Sequence, residues 1–160
     1  MDVHSLVRYV DELEIQAGYA QLAEPALRER ASLGAAQSIL TAGAIVSMLL
    51  WPSEPTRRPG ASPEELALEK EATRNRGKRL REQLTIDGLP TLRSRPVRNA
   101  FESFDVVLDR WLEDDPVRAT RSIDPETLIV SILGETVDLR ALLDELATVA
   151  DAAQAWKATH

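Results

Sequence analysis

Apolar residues recur at three- and four-residue spacing from the start of the chain. Val3, Leu6, Val7, Val10, Leu13 and Ala17 fall on one side, with Arg8, Asp11, Glu12 and Gln16 opposite. That period predicts an amphipathic helix from Asp2 to about Ala23, broken or kinked at Glu24-Pro25, because proline disfavours helical backbone in the residue before it. A second helix is expected from about Pro25 or Ser32 to Leu50. The run "ASLGAAQSILTAGAIVSMLLWPS" carries no charge, but Gln37, Ser38, Thr41 and Ser47 favour a buried central helix over a membrane span. Gly34, Ala35, Gly43 and Ala44 would let neighbouring helices approach closely.

The prolines of "PSEPTRRPGASP" predict a long loop over residues 52–62. Ser62 is then the expected cap of a third helix, with Pro63 in its first position and Glu64 and Glu65 in its first turn, running to about Leu84. A fourth helix carries the seam Val97, Phe101, Phe104, Leu108 and Trp111, and Asp114-Asp115-Pro116 ends it. The period then changes. A β-branched run around Asp124-Pro125-Glu126-Thr127 predicts a hairpin at about 118–133, with strands near 118–123 and 127–133. Asp138 should cap a last helix, about 139–156. The sum is one mainly α domain over 1–160: an up-and-down bundle of four to five helices with a small β-hairpin before the last.

Composition narrows the chemistry. The chain has no cysteine, which excludes disulfides, thiolate metal sites and a thiol nucleophile, and fits a cytoplasmic location. The start "MDVHSLVRYVDELEI" puts acids where a secretion signal would need bases and an apolar run, and no membrane association is expected. Net charge is −7, which disfavours promiscuous binding to phosphate backbones, yet the charge is unevenly distributed. From Lys70 to Arg98 nine bases face three acids, whereas after Asn99 five bases face thirteen acids. An RNA-facing strip and two oppositely charged faces meeting within a dimer both fit that asymmetry.

Few residues suit catalysis. His4 and His160 are the only histidines, and the helical carboxylate pairs Asp11/Glu14 and Asp105/Asp109 lack a histidine partner, so neither metal nor cofactor is expected. Gly77 and Gly88 stand alone, which leaves no phosphate loop. Trp51, Trp111 and Trp156 fit core or interface anchors. There remains "RNAFESFDVVLDRW", in which Arg98, Glu102, Asp105 and Asp109 share a helical stripe and Asn99 and Ser103 lie four apart. Arg98 and Ser103 lie about 140° apart around one helix, so two facing helices would be needed to aim both at one point.

This stretch resembles the motif helix of the HEPN superfamily (higher eukaryote and prokaryote nucleotide-binding domains), whose signature is Arg, commonly Asn, three further residues and His. Arg98 and Asn99 match it, and Ser103 stands at the histidine position. The resemblance implies a helical bundle that dimerises through the motif helices, here by Phe101, Phe104, Leu108 and Trp111. It also implies an RNA- or nucleotide-phosphate site to which Arg93, Arg95 and Arg98 would contribute. Active members are metal-independent endoribonucleases of toxin or defence systems. A serine hydroxyl does not titrate near neutrality and cannot replace the family's proton-transferring imidazole. The expectation is therefore an impaired catalytic centre (Arg98, Asn99, Ser103) in an interaction or regulatory protein with a possible protein partner. The alternative is a ribonuclease altered at Ser103.

Overall fold

The computed structural model describes residues 3–55, 60, 62–94, 96–97, 109, 113 and 120–160. They form five helices and a three-stranded antiparallel sheet: α1 (Val3–Arg30), α2 (Leu33–Leu50), α3 (Pro63–Leu84), α4 (Pro90–Arg93), β1 (Arg121–Ile123), β2 (Ile129–Ile132), β3 (Glu135–Asp138) and α5 (Leu139–Thr159). The mainly helical bundle with a small β element ahead of the last helix is thus the observed architecture. Helices α1, α2 and α5 enclose the core, where Leu13, Leu27, Ile39, Leu40, Leu142 and Leu146 lose all or nearly all contact with solvent.

Local chemistry explains most boundaries. Ser62 and Glu65 complete a reciprocal capping box at the start of α3. The Asp138 carboxylate accepts from the N–H groups of Arg140 and Ala141 at the start of α5. Gly43 lets α2 and α5 approach closely, since a Cβ there would stand 3.0 Å from Leu142. Gly34, by contrast, is exposed and packs no helix. Helix α2 is long and apolar enough to cross a membrane, but 56% of it is buried inside this fold.

Three expectations are corrected. Helix α1 does not end at Ala23 but runs through Pro25 to Arg30. Pro25 and Gln21 face solvent, so the carbonyl that proline leaves without its helical donor is accessible to water, while buried Leu27 and the Glu24–Arg28 pair hold the last turn. The hairpin gains a third strand. Leu133 and Gly134 both take positive φ, at 47° and 86°, and this tight turn returns Glu135 beside Ile132. Helix α4 was not expected at all. Its Thr91 and Leu92 N–H groups donate to the Glu145 carboxylate of α5 at 2.9 and 2.7 Å.

A candidate anion-binding cleft

The C-terminal end of α2 and the C-terminal half of α3 meet at Gly77. A Cβ there would lie 2.4 Å from Pro52 and 2.7 Å from the Leu50 carbonyl, so only glycine permits this approach. One turn on, Arg81 donates to the Leu50 carbonyl and lays its guanidinium over the Trp51 ring, 5.5 Å from the centroid. Arg74, Lys78 and Arg81 follow four- and three-residue spacing and therefore share one side of α3. The turn after α3 completes the opposite wall. Thr85 (φ 53°) ends the helix, buried Ile86 and Leu89 anchor the turn, and Gly88 takes φ 71°. Helix α4 then delivers Arg93.

The result is a cleft of about 630 Å³ between Trp51, Arg81, Asp87 and Arg93. A second hollow of about 480 Å³ shares Trp51, Arg81 and Arg93 and extends along Arg74, Asn75 and Lys78. Four cations thus border a connected surface around one tryptophan. Some are engaged: Glu54 lies 3.4 Å from Lys70 and 3.9 Å from Arg74, and Glu82 lies 3.6 Å from Lys78. These pairs are exposed and weak, so an incoming anion competes with them at small cost. Arg93 is exposed and has no carboxylate partner among the described residues. Burial, and then the nearby Arg93, hold the Arg81 guanidinium below its ordinary range, while Asp87 and Glu82 pull it back up. It remains a cation at neutral pH.

Of the residues singled out in the sequence, Arg93 falls in this cleft and Val97 is fully buried. Asp109 is exposed and helical. Arg95, Arg98, Asn99, Phe101, Ser103, Phe104, Leu108 and Trp111 lie outside the described residues. Trp51 is half-buried with the Arg81 guanidinium over its ring, and Trp156 is buried against His160, their rings stacked at 4.5 Å. Among the described residues no group of three or more histidine, cysteine or carboxylate side chains is placed to hold a metal ion. The cleft's principal cations on α3 were visible in the sequence only as a basic run, although their spacing already placed Arg74, Lys78 and Arg81 on one face. No family model, curated protein or solved structure matches the chain.

Proposed function

We propose that this chain is a HEPN-like, self-associating helical protein of regulatory or interaction type, which holds an RNA or nucleotide phosphate in the cationic cleft without cleaving it. The observation that carries this reading is the convergence of Arg74, Lys78, Arg81 and Arg93 around Trp51 in a chain whose net charge is −7. Acidic surface elsewhere repels nucleic acid, so binding is confined to the place where bases converge. Ser103 at the family's histidine position is the reason to favour binding over chemistry. Pairing of two copies through Phe101, Phe104, Leu108 and Trp111 belongs to the same reading, as does a toxin–antitoxin or defence setting.

The test is a titration of labelled single-stranded RNA against wild type, Arg93→Ala and Lys78→Ala. Each substitution is expected to weaken binding several-fold, with the fold unchanged by circular dichroism. RNA that does not bind at low salt, or binds all three proteins equally, would remove the cleft from the account. The ribonuclease alternative is decided separately, by metal-free cleavage assays of wild type and Ser103→His. Cleavage by wild type that Arg98→Ala abolishes would establish enzyme rather than binder. Cleavage gained only in Ser103→His, and dependent on Arg98, would support the lineage and the impaired state together.

A further inference from the structure

On α1 the positions Arg8, Glu12, Ile15, Tyr19, Leu22, Ala26 and Glu29 follow alternating four- and three-residue steps, which align them as one stripe; Arg8, Ile15, Tyr19, Leu22 and Glu29 are exposed, while Glu12 is half-buried and Ala26 leans on the core. Its middle is apolar and exposed: Ile15 is 47%, Tyr19 56% and Leu22 79% accessible. A groove of about 460 Å³ joins Tyr19 and Leu22 to Ser38 and Thr41 of α2. The helical row Gly34, Ser38, Thr41, Ile45 and Met48 lies in a helix without any charged residue. Exposed apolar surface spread over two adjacent helices marks an interaction face.

The charges at the ends of the stripe identify the occupant. Arg8 stands at one end and Glu29 at the other, both exposed and neither paired among the described residues. Consider two copies of α1 laid antiparallel about a twofold axis beside Gly18 and Tyr19. Ile15 then meets the partner's Leu22, and Arg8 meets the partner's Glu29, each contact occurring twice. We propose that this face of α1 and α2 is an interface between two copies of the chain. Its apolar centre drives association, and the end charges select the antiparallel register. Ile15, Tyr19 and Leu22 all precede Pro25, so any bend there leaves the apolar contact intact. The interface shares no residue with the cleft. If a second pairing through Phe101 and Trp111 also forms, dimers join into a larger assembly.

The chain's lack of cysteine makes the test site-specific. A Cβ at Gly18 meets nothing within 4 Å, so Gly18→Cys is accommodated and should crosslink to its own copy through a short bismaleimide. Phe101→Cys serves as the comparison for the other pairing. By sedimentation, Leu22→Glu should lower the assembly by one step. Arg8→Glu should weaken it up to about tenfold, since both rim pairs turn repulsive, and Arg8→Glu with Glu29→Arg should restore it. Four results would each overturn the proposal: a wild-type monomer at high micromolar concentration, association indifferent to Leu22→Glu, crosslinking through Phe101→Cys but not Gly18→Cys, or vesicle binding by this face without self-association.

Discussion

The outer side of α1 and the C-terminal half of α3 are both exposed helical surface, yet they offer opposite chemistries. The α1 stripe keeps its charges at its two ends and exposes Ile15, Tyr19 and Leu22 between them. Helix α3 turns Arg74, Lys78 and Arg81 toward a cleft and buries only Gly77, Leu80 and Leu84. Apolar area drives association in any salt, whereas clustered cations attract phosphate through a field that salt screens. One chain therefore presents two surfaces suited to different partners, and experiments can break either without touching the other.

The largest effect should come from Gly77→Ala. The new methyl collides with Pro52 and the Leu50 carbonyl, so backbone must move. We expect a loss of about 2 kcal/mol in urea denaturation, together with loss of RNA binding, while self-association through α1 persists. Glu145→Ala comes next. It deprives the partly buried N–H groups of Thr91 and Leu92 of their acceptor and releases the helix that carries Arg93. That should cost about 1 kcal/mol, the lower end for partly buried donors, with Glu145→Gln costing less because one acceptor oxygen remains.

These two positions also mark where the sequence stops being legible. Capping residues are local, and Ser62 and Asp138 announced α3 and α5 directly. The support for α4 is not local, since its acceptor lies more than fifty residues downstream, and "TIDGLP" reads only as a helix end. Proline in α1 was overread because the break rule takes no account of where the freed carbonyl points. Here Gln21 and Pro25 are exposed. The third strand was missed because Leu133 in a positive-φ turn carries no signal of its own beside Gly134. In the cleft, the sequence shows a basic run over α3, but its convergence with Trp51 and Arg93 is a product of packing.

Smaller still is the effect of acid. Hydrogen bonding from Lys157 is the main cause holding the Glu14 carboxyl below its ordinary range, and the N–H of Glu126 does the same for Asp124. Both folded-state values lie below the unfolded ones, so each carboxylate stabilises the fold fully above the ordinary range near pH ~4. The contribution is lost as pH falls through the lowered values. Thermal melts across acidic pH should show Asp124→Asn and Glu14→Gln each flattening the decline relative to wild type. Neither substitution should alter RNA binding at neutral pH, which separates the scaffold from the cleft.

The most direct measurement is the salt dependence of RNA affinity. With four cations bordering the cleft, the logarithm of the binding constant should fall linearly with the logarithm of salt concentration, with a slope of roughly −2 to −3. Replacing Arg93 and Lys78 together by alanine should flatten that slope by about one or more. A slope near zero, or one unchanged by the double substitution, would contradict the claim that these side chains form a phosphate-binding surface.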